Sequence, residues 1–121
     1  MTQEQRFEDL AVEAVPERAA ELKREGWRMV QICGVPQTGG TELIYSFDKD
    51  FSLLNLRATV PSGTGVGSIT PSYWAAFVYE NEVHDLFGVE FDGMEMDYKG
   101  TFFRTGTPYP WKEARRWARE R

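Results

Sequence analysis

The sequence predicts an α+β domain: an antiparallel β-sheet packed by two main α-helices, in the order βαβββα, with a short C-terminal helix. Three observations carry this. Three consecutive stretches between Trp27 and Val60 are rich in β-branched and aromatic residues, and only short turn-like segments join them. Two stretches with helical spacing each stop at a glycine, Gly26 and Gly88, the residue type that ends helices most readily. The whole chain has 121 residues, enough for one modest core and too few for two, so residues 1–121 are expected to form a single domain.

Taken in order, residues 1–8 are polar and expected to fray. Asp9–Val15 alternates loosely, with Leu10, Val12 and Ala14 to one side. A short strand is expected there, with a helix as the rival reading. Pro16 suits the first position of a helix, where its missing N–H costs nothing, and the helix then buries Ala19, Leu22 and Ala20 up to Gly26. Strands follow over 27–33, 41–47 and 51–60, with Leu43, Tyr45 and Phe47 on one face of the second. Residues 35–40 read as a loop and 48–50 as a tight connection. Such short connections force antiparallel neighbours, since a parallel crossover needs a dozen residues or more.

Residues 61–68 are glycine-rich but lack the spacing and the lysine of a phosphate loop, and read as a flexible connector. Thr70 is placed to cap a helix opened by Pro71, with Ile69 and Trp74 as a hydrophobic staple. That helix runs to Phe87, and Trp74, Phe77, Val78 and Phe87 are expected to touch the sheet. Residues 89–91 resume as extended chain and Asp92-Gly93 turns it. Residues 94–109 lack periodicity, and a helix is expected from Pro110.

Composition excludes several functions. With one cysteine, Cys33, and one histidine, His84, the chain cannot supply four ligands of that kind to an iron–sulfur cluster or a structural zinc. Cys33 lies in an apolar stretch and is expected to be an inert buried thiol. Residues 1–110 hold 9 Lys and Arg against 17 Asp and Glu, which argues against nucleic acid, whereas residues 111–121 hold 5 against 2. No stretch is apolar enough to span a membrane, and MTQEQRFEDL lacks the order of a signal peptide, so the cytoplasm is the expected location.

The candidate chemical residues cluster on the second helix. Glu82 and Asp85, three apart, share one face; Glu80 and His84, four apart, share another. Two ligands on one helix fall short of a metal site, and an i,i+4 Glu–His contact is the plainer reading. Acids at a helix C-terminus oppose the macrodipole and must be held by something: Arg57, backbone donors or a partner's arginines. A lone His84 beside Asp85 defines no nucleophile and base.

Residues 69–93, ITPSYWAAFVYENEVHDLFGVEFDG, resemble the signature of the complex I thirty-kilodalton subunit family, found in NADH-quinone oxidoreductase. That signature is a Pro-opened aromatic helix followed by spaced acids, an aromatic-Gly pair, Phe and Gly. Glu80, Glu82, Asp85, Phe87, Gly88, Phe91 and Gly93 match it. Asn81 replaces the usual Arg, and Met94 stands where a His commonly follows. The strong match covers about a quarter of the chain, and the family's Gly-His-Pro-Leu-Arg-Lys-Asp-Tyr-like tail segment is missing. A short chain of this kind looks more like the homologous subunit of energy-converting nickel–iron hydrogenases.

The resemblance implies a cofactor-free structural subunit of a peripheral arm, at the cytoplasmic face of the inner membrane and bound to the membrane only through its partners. Iron–sulfur clusters, and a nickel–iron site or NADH and quinone sites, would lie in partner subunits, the cluster-bearing and large catalytic-type ones. Two rivals from other classes are a free-standing small enzyme using Glu80 and His84, and a soluble adaptor outside any such complex. The tail adds one more expectation. From Pro110, Trp111, Ala114 and Ala118 recur on one helical face with Trp117 at its edge, while Lys112, Arg115, Arg116 and Arg119 cover the rest. Trp111, Arg115, Arg116 and Trp117 are the candidate partner-binding residues.

Overall fold

The computed structural model describes residues 4–93, and the expected helix from Pro110 lies outside them. Six strands and two helices are described: β1 (Glu4–Asp9), α1 (Val15–Arg24), β2 (Arg28–Gln37), β3 (Gly40–Lys49), β4 (Ser52–Pro61), β5 (Gly65–Gly67), α2 (Ala76–Phe87) and β6 (Glu90–Asp92). The main sheet has the order β1-β4-β3-β2. β2, β3 and β4 form the antiparallel meander that their short connections require.

Alternation along the strands builds the core. Leu43, Tyr45 and Phe47 of β3 are fully buried, beside Leu54, Leu56 and Val60 of β4. Against this face α1 lays Val15, Ala19 and Leu22, and α2 lays Ala76, Val83 and Phe87. On the opposite face Ser46 donates to Asn55 Oδ1 at 2.6 Å, which satisfies two buried polar side chains together.

The N-terminus departs from expectation. Residues 4–9 do not fray; they pair in parallel with Ser52–Arg57, so the sheet is mixed rather than purely antiparallel. The expected strand over 9–15 is displaced N-terminally, and Val12–Ala14 is a 3-10 turn leading into α1. Side chains flank the backbone pairing on both sides. Glu8 takes a two-pronged contact from Arg18 of α1 (2.8 and 3.1 Å), and Asp9 takes one from Arg57 of β4 (2.8 and 3.2 Å). A stretch that reads as polar and loose is held at its sides by partners far away in sequence.

The connections also differ. β2 continues through Val35–Gln37, leaving a two-residue turn where residues 35–40 read as loop. Cys33 is half-buried rather than enclosed, because it alternates with the buried Ile32 and points to the other face. The β3–β4 turn is Asp50-Phe51, not 48–50, since Asp48 stays in the strand opposite Arg28, which donates to it at 2.7 and 2.9 Å. Both turn residues have positive φ, 48° and 66°, the requirement of a tight hairpin that neither side chain favours. Phe51 is 69% exposed, so its ring repays little of that cost. Phe51→Gly is therefore expected to raise stability by about 0.5–1 kcal/mol in urea denaturation, the relieved strain less glycine's greater freedom when unfolded.

Candidate functional site

The segment between β4 and α2 is less free than its glycines suggest. Gly65–Gly67 pairs in parallel with Glu90–Asp92, and the Ser68 N–H donates to the Asp92 carbonyl at 2.8 Å. α2 starts at Ala76, five residues after Pro71; residues 71–75 are turns, and no side chain caps the helix. Thr70 is instead tied to Ser68, Oγ to Oγ at 2.7 Å, and Trp74 is 53% exposed while Ile69 is buried, so the expected staple does not close. Trp74 and Val78 turn outward, and the apolar contacts to the sheet come from Ala76, Val83 and Phe87.

What fixes this segment is Glu80. Its side chain is fully buried on the inner face of α2. One carboxylate oxygen accepts from the Ser68 hydroxyl at 2.6 Å, the other from the Ile69 N–H at 2.8 Å. Ser68 Oγ also accepts from the Thr70 N–H at 3.0 Å, so one acid organises three consecutive residues of another segment. Burial pushes Glu80 up to about 7, against the opposing pull of its two donors. Below it the Tyr45 hydroxyl, enclosed and without a hydrogen-bond partner among the described residues, is raised well above its ordinary value, by burial first and then by the charge of Glu80.

The Glu80–His84 contact expected from i,i+4 spacing is not made. His84 is buried and directs Nδ1 to Asp85 Oδ1 at 3.3 Å and Nε2 to Glu90 Oε1 at 3.5 Å. Asp85 is buried beside it. Arg57 does not hold these acids, being engaged with Asp9. Asn81, at the position of the usual Arg, donates back to the Phe77 carbonyl at 2.7 Å. Glu82 is half-buried and makes no hydrogen bond or ion pair among the described residues.

The remaining signature residues shape the end of the helix. Phe87 lies on Gly34 of β2, where a Cβ would meet the ring at 2.8 Å. Gly88 ends α2 at φ 76°, returning its N–H to the His84 carbonyl at 2.9 Å. A β-carbon there forces a left-handed residue, so Gly88→Ala is expected to cost on the order of 1 kcal/mol in thermal or urea unfolding. Phe91 is buried in β6, and Gly93 follows at φ 81°. A cavity of about 230 Å³ at this end of the domain, between the β2–β3 turn, residues 61–64 and Phe87-Gly88-Val89, is lined by no titratable side chain among the described residues. No three His, Cys, Asp or Glu side chains come together to hold a metal ion among the described residues.

Of the signature residues, Glu80 locks α2 to the segment before it, and Ser68 ties that segment to the strand after α2. Ser68 and Tyr45 beside Glu80, and Gly34 against Phe87, were not legible as site residues. Nothing in the spacing of Ser68 and Glu80, twelve residues apart, announces their bond. Trp111, Arg115, Arg116 and Trp117 lie outside the described residues.

A family model described as the 30 kDa subunit of respiratory-chain NADH dehydrogenase matches residues 9–118, so the likeness extends well beyond residues 69–93. The C/D subunit of NADH-quinone oxidoreductase from Bdellovibrio bacteriovorus is 30% identical over 70 residues, covering 54% of this chain. That alignment spans only 12% of the relative's own length. Among solved structures, a chain from the membrane-bound sulfane sulfur reductase, an archaeal respiratory membrane complex, superposes with a TM-score of 0.78 at 20% identity, covering 91% of this chain and 69% of that one. At that identity the likeness is one of fold.

Proposed function

Since the chain belongs to the respiratory-chain NADH dehydrogenase 30 kDa subunit family, we propose that it is a cofactor-free structural subunit in the peripheral arm of a membrane-bound oxidoreductase complex, of the NADH:quinone oxidoreductase or energy-converting hydrogenase kind. On this reading residues 1–121 act as one domain that braces iron–sulfur and large catalytic-type subunits, which carry the redox centres. Among the described residues no helix is long and apolar enough to cross a membrane. Attachment at the cytoplasmic face is accordingly assigned to the partners, and the basic tail with Trp111, Arg115, Arg116 and Trp117 to a partner subunit.

One observation carries the structural role. Glu80 has the raised pKa of a general acid, but it is fully enclosed and both oxygens are committed to the protein's own donors. A group so placed positions chain segments; it meets no substrate. Glu82, partly exposed on the adjacent face and unpaired among the described residues, is then the signature acid available to a partner.

The test is purification of the affinity-tagged full chain from membranes of its own host. The expected result is co-purification with iron–sulfur and large subunits, while the chain prepared alone carries no stoichiometric metal. Iron or zinc near one per chain in that preparation contradicts the reading. Glu82→Gln is expected to melt within about 0.5 kcal/mol of wild type yet to lower the yield of assembled complex severalfold. Normal assembly with collapsed turnover would instead make Glu82 a participant in the chemistry.

A further inference from the structure

The end of α1, the start of β2 and the turns before α2 meet in an open cleft of about 280 Å³, lined by Lys23, Trp27, Arg28, Met29, Tyr73 and Trp74. Its floor is fixed. The Tyr73 hydroxyl donates to the Trp27 carbonyl at 2.8 Å, and the Tyr73 ring packs on Phe47 of the core at 5.3 Å. Its wall is not covered by any of the described residues. Trp74 is half exposed, its ring tilted against Phe77 at 5.3 Å, and Val78, outside the cleft on the next turn, is exposed as well. Trp is the side chain most often found as a binding anchor, and leaving two apolar neighbours in water gains this domain nothing by itself.

The rim of the cleft is cationic in a domain that is otherwise acidic. Residues 4–93 hold 7 Lys and Arg against 15 Asp and Glu, and two of the seven, Lys23 and Arg28, are the charged residues lining the cleft among the described residues. Lys23 places its ammonium 5.3 Å from the centre of the Tyr73 ring and has no carboxylate partner among the described residues. Arg28 is 80% exposed, with Asp48 on one side of it. Lysines at the end of a helix complement its dipole, which accounts for Lys23 in the last turn of α1. It does not account for an exposed tryptophan beside it.

We propose that this cleft is a docking site for a segment of a partner subunit in which an apolar side chain adjoins a carboxylate. The apolar group fills the space between Trp74, Trp27 and Met29, and the carboxylate meets Lys23, with Arg28 at the edge. An anionic membrane surface shares the carboxylate's sign, but the eight excess negative charges of residues 4–93 oppose its approach and leave a single concave site to do the work. The inference rests on the reading of the chain as a subunit, and the test separates the two.

The full tagged chain, carrying the photocrosslinker benzoylphenylalanine at position 74, is irradiated in its host's membranes, and the linked peptide is sequenced. A crosslink to another subunit of the co-purified complex, within a stretch joining Asp or Glu to apolar residues, is expected. In parallel, Trp74→Ala and Lys23→Glu should each lower co-purification at least tenfold while the full chain alone melts like wild type. Replacing the crosslinked acid by lysine should restore assembly of Lys23→Glu. Crosslinks to residues 94–121 of the same chain, to a second copy or to lipid overturn the proposal, as does normal assembly of both variants. If the wild type brings down no oxidoreductase subunits, the reading as a subunit fails first and the docking site with it.

Discussion

Raising the pH from about 5 to about 8 is expected to lower the stability of the wild-type protein by roughly 2–3 kcal/mol, and Glu80→Gln is expected to flatten most of that slope. The folded protein raises Glu80 from 4.5 to about 7, by burial first. Below pH 4.5 the acid is neutral whether the chain is folded or not, and burial carries no charge penalty. Between 4.5 and 7 the unfolded chain releases its proton while the folded one keeps it, so stability falls as pH rises. Above 7 both are ionised and the penalty is complete. Asp48 does not interfere, because its partner Arg28 holds it below the ordinary carboxylate range and its contribution is constant across this window. A glutamine keeps the geometry: its carbonyl accepts from Ile69 and its amide can donate to Ser68 Oγ. Urea denaturation at a series of pH values reads the slope directly. Equal slopes in the two proteins would show that the lock around Glu80 is not the source.

The second large effect lies where α2 crosses β2. Gly34→Ala is expected to destabilise the domain by about 1–3 kcal/mol, since its Cβ would stand 2.8 Å from a ring carbon of Phe87 inside a packed core. Phe87→Ala alone should cost about 3–5 kcal/mol through the cavity it leaves. The double variant discriminates between clash and chance: with the ring gone, the added methyl has room, and Gly34→Ala should cost little more. A coupling of about 1 kcal/mol or greater in the cycle is the expected result, and strict additivity would place the cost of Gly34→Ala elsewhere.

The meander was legible because its three strands alternate and their connections are too short for any other pairing. Leu43, Tyr45 and Phe47 line the core as their spacing requires. The stop of α2 at Gly88 was legible for a similar reason, being a local property of one residue. What escaped the sequence is set by distant partners. β1 depends on its pairing with Ser52–Arg57, flanked by Arg18 and Arg57, the 65–67 strand on residues 90–92, and the late start of α2 on a network in which Thr70 answers to Ser68 and Glu80 rather than to the helix. The candidate site shows the same division. Its residues were picked out by pattern, but spacing along α2 paired Glu80 with His84, whereas burial turned Glu80 toward Ser68 and Ile69.

The parallel pairing of β1 with β4 has a consequence for the order in which the chain becomes structured. Glu4–Asp9 is synthesised before its template, Ser52–Arg57, which follows nearly fifty residues later. β2, β3 and β4 can close by nearest-neighbour hairpins, which are fast, whereas β1 must wait for a loop closure over that whole interval. Until it arrives, β4 is an open edge, and the β1 segment of any other copy carries the same Glu8 and Asp9 to complete it. At high concentration during refolding, exchange of β1 between chains is thus the characteristic competing product, and dilution favours the closed monomeric domain.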